Sequence, residues 1–312
     1  MAMNEPRVRF RSSRLAGETA PNLDHVDLTL TGAPIDERGR SAVAALTPMS
    51  SAVSQLEFLP DQQRLMVDGL AVSRIGFQQL LKGKRVRLET TTLGLAEVLR
   101  TLQALDAAHT PRCEFVYVEP GEYTRNALDL PGAEGTPAFA LSRNCDFQTV
   151  LGFAAPYEDN AAAVHVYFMG YEQGRLLRAI EQRENVDPKR YRREFVVGVP
   201  AFELGWENNV FGAHSSYMEK IGVRSDTLSY CPANSVQDAY SLLWTVYGRF
   251  RNEEITFFVS PLGTKPHGLA TALFLLETRD GAVPTSLYYD HPVRVPERSR
   301  RIAAWHTVAA AW

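Results

Sequence analysis

The chain has 312 residues, 45% of them hydrophobic and 22% charged, proportions that exclude a mainly disordered protein. Lys and Arg total 33 against 36 Asp and Glu, a formal net charge of −3, so binding along an extended nucleic acid is not expected. No apolar run approaches the roughly 20 residues that cross a bilayer. The start, with Arg7, Arg9, Arg11 and Arg14, lacks the apolar segment of a secretory signal; a cytoplasmic protein without membrane association is expected. Cys113, Cys145 and Cys231 form no CxxC pair, which argues against a cysteine zinc site or a disulfide scaffold.

In chain order, residues 1–50 read as an irregular arm in which only Val26–Leu30 is strand-like. Val53–Phe58 alternates as a strand, and Arg64–Val67 pairs with it across Pro60-Asp61. Arg74–Leu81 reads as a short helix closed by Gly83. A β-α-β unit follows: strand Val86–Thr90, a cap from Thr90, Thr91 and Thr92, and a helix with Leu95, Val98, Leu99, Leu102 and Leu105 at helical spacing. The next strand, Cys113–Val118, stops at the turn Glu119-Pro120-Gly121. Residues 121–150, with Pro131, Gly132, Gly135 and Pro137, read as a linker or long loop.

Beyond it the pattern resumes. Val164–Met169 is a strand, Gly170–Gly174 a turn, and Leu176, Leu177 and Ile180 mark a helix. Glu194–Val199 is a strand, Ala201–Ser216 a loop rich in aromatic and amide groups, and Ser229–Cys231 a short strand. Val236, Ala239, Tyr240, Leu243, Tyr247 and Phe250 stripe a helix. Ile255–Val259 is apolar throughout, as in a strand buried on both faces. Helix Gly268–Glu277 and strand Ser286–Tyr289 follow. This alternation predicts an α/β fold, a Rossmann-like, doubly wound, mostly parallel sheet over 151–312. A smaller N-terminal α/β lobe is expected over 51–150, preceded by the arm 1–50.

Three strand-to-helix turns carry the candidate chemistry. In Ser260-Pro261-Leu262-Gly263-Thr264-Lys265-Pro266, Gly263 permits a close backbone approach. Ser260 and Thr264 offer hydroxyls, Lys265 a cation, and Pro266 suits a helix start. A helix N-terminus favours an anion, so the turn reads as a phosphate cradle, although it lacks the Walker spacing. In Gly170-Tyr171-Glu172-Gln173-Gly174-Arg175, Arg175 offers a bidentate grip and Tyr171 a ring to stack on a base. The alternatives are a tight turn with an exposed Lys and a surface turn with a solvated Arg. Thr90–Gly94 has the same placement in the first region. For acid or base work the candidates are His291, Asp290 and Glu172, but no catalytic motif is complete. His165 reads as a strand residue. His25, His109, His214 and His306 show no ligand spacing. Neither a metal nor a cofactor is expected.

The strand, the Ser/Gly loop ending in Gly263-Thr264-Lys265 and the apolar helix after it resemble the signature loop of CARF-type sensor domains. These are Rossmann-like domains of prokaryotic defence systems that bind cyclic oligonucleotides. The resemblance covers about 160–292 and departs from the family at Pro261 and Leu262, where a more Gly-rich loop is usual. It implies that Ser260, Gly263, Thr264 and Lys265 meet ligand phosphates or ribose, with Gly170 and Arg175 opposite. It also implies a nucleotide-sensing or regulatory subunit of an anti-phage system, with a separate protein partner or a second copy of the chain. Two alternatives stay open. One is an enzyme acting on a nucleotide or phosphorylated small molecule. The other is a structural subunit anchored through Trp206, Phe211 and the segment Trp305–Trp312, in which Arg294, Arg298, Arg300 and Arg301 face solvent or nucleic acid.

Overall fold

A computed structural model describes residues 5–124, 139, 141–143, 147–156, 161–181 and 190–312. In chain order the elements are β1 (Arg9–Ala16), β2 (Leu28–Thr31), α1 (Glu37–Leu46), β3 (Val53–Leu59), β4 (Arg64–Val67), β5 (Leu70–Val72), α2 (Arg74–Leu81), β6 (Val86–Glu89), α3 (Leu95–Ala107) and β7 (Arg112–Tyr123). There follow β8 (Ser142–Arg143), β9 (Ala162–Phe168), α4 (Gln173–Glu181), β10 (Tyr191–Gly198), α5 (Glu207–Lys220), β11 (Leu228–Cys231) and α6 (Val236–Phe250). The chain closes with β12 (Ile255–Pro261), α7 (Lys265–Thr278), β13 (Thr285–Leu287), β14 (Val293–Arg294) and β15 (Ser299–Ala311). The fold is mixed α/β, as expected. Among the described residues no helix is long and apolar enough to cross a membrane. Cys145 and most of the 121–150 linker lie outside the described residues.

The chain divides into two compact bodies, one of Arg7–Thr124 with Arg294–Trp312 and one of Met1–Pro6 with Arg125–Val293. These limits differ from the expected divisions at 50 and 150. The residues read as an arm supply two strands and a helix to the first body, and the last nineteen residues return to it.

The first body holds an eight-stranded sheet in the order β1-β15-β7-β6-β2-β3-β4-β5. Strands β7, β6, β2 and β3 run parallel. The pairs β1–β15, β15–β7, β3–β4 and β4–β5 are antiparallel. Ala-rich β15 has no strand signal of its own; pairing on both edges overrides the helical preference of alanine. Strand β7 runs through the expected turn at Pro120, beside a register shift between Ile302 and Ala304. Bulges of this kind accommodate a residue without an N–H. Val116, Val118 and Trp305 bury one face of the sheet against Ala42 and Leu46 of α1. Asp36 caps α1 by accepting the Gly39 N–H at 3.0 Å. The Thr90–Thr92 hydroxyls, expected to cap the helix, do not; Gly94 is the N-cap of α3.

The second body is built on a five-stranded sheet, all parallel, in the order β11-β10-β9-β12-β13. Alternate residues of the strands point to opposite faces. On one face Tyr167, Phe195 and Val197 pack against Leu176 and Ile180 of α4 and Val210 of α5. On the other, Phe257 meets Tyr247 of α6 and Phe274 of α7, and Phe168 meets His267 of α7. Helices therefore cover both faces, which is why β9 and β12 are apolar along nearly their whole length. Helix α5 begins inside the segment read as a loop, Ala201–Ser216, and runs past its end. Asn208, Asn209, Gly212, Ser215 and Ser216 are weak helix formers, and burial of Val210 and His214 against the sheet holds them helical.

Candidate functional site

Strand β9 lies at the middle of the five-stranded sheet. The chain steps outward from it to β10 and β11, then crosses back to β12 and β13. The connections diverge between β9 and β12, and in open parallel sheets that is where ligands bind, beyond the carboxyl ends of the strands. Gly170 stands two residues past the end of β9, and Gly263 two residues past the end of β12. The two turns touch through their backbones. A Cβ on Gly170 would lie 2.4 Å from the Leu262 carbonyl oxygen, and one on Gly263 would lie 2.8 Å from that of Met169. These two glycines are thus required by the approach of turn to turn.

Both turns are pinned from the helices. His214 Nε2 on α5 donates to the Gly170 carbonyl at 2.7 Å. Arg175 on α4 donates to the Leu262 carbonyl at 3.3 Å and forms a two-pronged ion pair with Asp290, at 2.6 and 2.7 Å. Asp290 is fully buried. Burial alone would lower the Arg175 pKa, but the Asp290 charge and hydrogen bonds raise it above its ordinary value. Arg175 therefore holds the two turns in register, and its guanidinium is committed to protein partners. Glu172 is committed too: its Oε1 accepts the N–H groups of Leu141 and Ser142 and the Ser142 hydroxyl. Tyr171 stacks on Phe139 with ring centroids 4.8 Å apart.

The remaining sequence candidates separate. Strand β12 continues to Pro261, so Ser260 is a strand residue that points beneath the sheet. Its fully buried hydroxyl donates to the Tyr288 carbonyl at 2.8 Å and lies 2.7 Å from His165 Nε2. All the groups are satisfied when His165 Nε2–H donates to Ser260 Oγ and Nδ1 accepts the Tyr191 hydroxyl at 2.6 Å. His and Ser thus meet at nucleophile–base distance, yet the serine proton goes to a carbonyl and neither group reaches solvent. His291 Nε2 bonds the Gln148 carbonyl at 3.1 Å, and the Asp290 carboxylate is held by Arg175.

Thr264 and Lys265 stand where the sequence places them. Thr264 caps α7, its Oγ1 accepting the His267 N–H and donating to the Ala233 carbonyl at 2.6 Å. Lys265 is the first residue of α7 and Pro266, lacking an N–H, the second. One group beside them was missed by the sequence reading. His267, in the first turn of α7, is fully buried with Nε2 on the Pro232 carbonyl at 3.1 Å. Its Nδ1 has no hydrogen-bond partner, and a Cβ on Gly263 would lie 3.2 Å from it. Burial pushes this imidazole down to about 4, so it is neutral at pH 7 and presents an acceptor. A histidine two residues past Gly263-Thr264-Lys265 was its only sequence signal. Among the described residues, no three His, Cys, Asp or Glu side chains are placed to share a metal ion.

No protein-family model matches the chain, and no curated protein matches it either.

Proposed function

We propose that the second body is a Rossmann-like nucleotide-binding module. On this reading it takes the phosphates of a nucleotide or cyclic oligonucleotide at the paired turns and the start of α7. It serves as a sensor or regulatory subunit, working with a protein partner, in a prokaryotic defence system. The strand crossing point supports the reading most directly, because it brings Gly170, Gly263, Thr264 and Lys265 to one edge beside the unsatisfied Nδ1 of His267. The resemblance of Gly263-Thr264-Lys265 to the CARF signature loop supports the ligand class.

The residues divide the work. Thr264 already takes the N–H of His267, and its carbonyl takes that of Gly268. An anion would therefore be met by the Gly263–Lys265 backbone and the Lys265 ammonium, with the helix dipole behind them. Arg175, Asp290 and His214 fix the turns in advance, which lowers the ordering cost of binding. Ser260 lies under the sheet and contributes no ligand contact. On this reading the ligand is held as a signal, and turnover is left to the test below.

Calorimetric titration with mononucleotides, dinucleotides and cyclic oligonucleotides tests this. One member of the panel should bind, and Lys265→Ala should weaken it by about tenfold or more, the value of a charge-assisted contact. Failure of the whole panel to bind overturns the proposal, as does turnover of the bound nucleotide.

A further inference from the structure

The first body carries a groove of about 690 Å³ over its sheet, floored by β1, β15 and β7 and bounded by the segment around Asp24 and by Arg85. This volume is in the range of small-molecule sites. The strand register sets its charges in rows. Arg9 pairs with Ala311, which pairs with Arg112; Arg11 pairs with Ala309, which pairs with Glu114. Partners in a row share a face, so exposed Ala311 lies between Arg9 and Arg112, and exposed Ala309 between Arg11 and Glu114. Neighbouring strands are about 4.8 Å apart and alternate residues about 6.7 Å apart. Arg9, Arg11 and Arg112 thus stand within reach of one compact ligand.

The acids lining the groove are already neutralised. Glu114 pairs with the buried Arg87 at 2.7 Å, and Asp24 with Arg85 at 3.4 Å. Arg9, Arg11 and Arg112 are exposed, and none of them forms an ion pair among the described residues. Three like charges on one face repel, and natural surfaces usually intersperse the two signs. Every cation here is an arginine, whose planar fork matches phosphate oxygens two at a time. The alanine floor leaves room for the body of a ligand.

We propose that this groove is a second anion site that takes a compact polyphosphate, such as the phosphate chain of a nucleoside di- or triphosphate. A nucleic-acid polymer is disfavoured by the net charge of −3. The site is independent of the turns at the start of α7, and either can fail without the other.

Titration with inorganic tripolyphosphate at low salt tests it. The protein should bind one equivalent, with affinity falling as salt rises. Arg9→Ala/Arg11→Ala and Arg112→Ala should each weaken binding by about tenfold or more, with thermal unfolding unchanged because the three side chains are exposed. Lys265→Ala should leave this binding intact, which separates the groove from the second body. Absence of binding overturns the inference, and so does binding that survives the triple arginine variant. Tighter binding of single-stranded oligothymidylate than of tripolyphosphate, lost in the same variants, overturns it in favour of a polymer.

Discussion

The two bodies solve the same geometric problem in the same way and then use the result differently. In each, the central parallel strand ends in a glycine pressed on the turn of the neighbouring strand. A Cβ on Gly32 would lie 2.4 Å from the Thr92 carbonyl oxygen, and one on Gly170 the same distance from that of Leu262. In the first body the edge is filled from within. The fully buried Glu89 carboxylate accepts the Thr91 and Thr92 N–H groups and the Thr92 hydroxyl, and the Gly32 N–H goes to Thr92 Oγ1. Arg294 covers the carbonyls of Thr91, Thr92 and Leu93. In the second body the corresponding edge keeps a lysine at a helix start and a buried imidazole nitrogen without a partner. Topology makes a crossing point in both; the side chains fill the two edges differently.

The largest expected effect comes from the ion pair that clamps the second edge. Asp290→Ala leaves buried Arg175 with only the longer 3.6 Å pairing to Glu172 and should destabilise the second body by about 3 kcal/mol, read by urea denaturation. Arg294→Ala in the first body removes guanidinium hydrogen bonds to backbone carbonyls from a half-buried side chain, with no buried charge left behind, and should lower stability by only about 1–3 kcal/mol. Equal losses would mean that the two edges are held with equal strength.

Acid should separate the bodies next. His267 has an ordinary pKa of 6.5 and sits at about 4 when folded. Between those values the unfolded imidazole takes up a proton that the folded one refuses, so stability falls as pH falls, by about 3 kcal/mol across the window. Burial lowers the His214 pKa as well, in the same direction. The first body behaves otherwise. Burial would raise Asp36 and Glu119, but Arg38 and Ser299 hold the first, and His306 and Arg14 the second, below their ordinary values. That stability is present above an ordinary carboxyl pKa and is lost only as pH falls through the lowered values. Hydrogen exchange from pH 7 to 4 should therefore show the second body opening first, and His267→Gln should flatten its response. A first body that opens at the higher pH would contradict this assignment of charges.

The sequence made the parallel core legible because β9, β12 and α6 follow simple periodicities, and it put Gly263, Thr264 and Lys265 on the edge that topology favours. What it hid was non-local. Strand β15 is unremarkable until β1 and β7 flank it, and α5 is helical because the sheet face needs covering. Arg175 resembles a phosphate grip until Asp290, 115 residues away, claims its guanidinium. His165, Tyr191 and Ser260 lie far apart in the chain, and only the strand register brings them together. His267 was hidden for a different reason: a lone histidine in an apolar helix carries no spacing signal.

Glycine substitutions probe the shared device. Gly170→Ala and Gly32→Ala each drive a Cβ into backbone and should destabilise by about 1–3 kcal/mol, while only Gly170→Ala should weaken nucleotide binding. Gly174 has open space around it in α4, and Gly174→Ala should stabilise by up to about 1 kcal/mol. Thermal melts paired with the nucleotide titration report all three.

The smallest expected effect tells a structural serine from a ligand-binding one. Ser260→Ala removes the donor to the Tyr288 carbonyl and the acceptor for His165, both buried, and should lower stability by about 1–2 kcal/mol. Nucleotide affinity should stay at the wild-type value, because the hydroxyl points beneath the sheet and not at its edge. Lys265→Ala, by contrast, should lose affinity. If Ser260→Ala lost affinity at unchanged stability, the ligand would have to enter beneath β12, on the face of His165 and Tyr191. The comparison of edges would then give way to a comparison of faces.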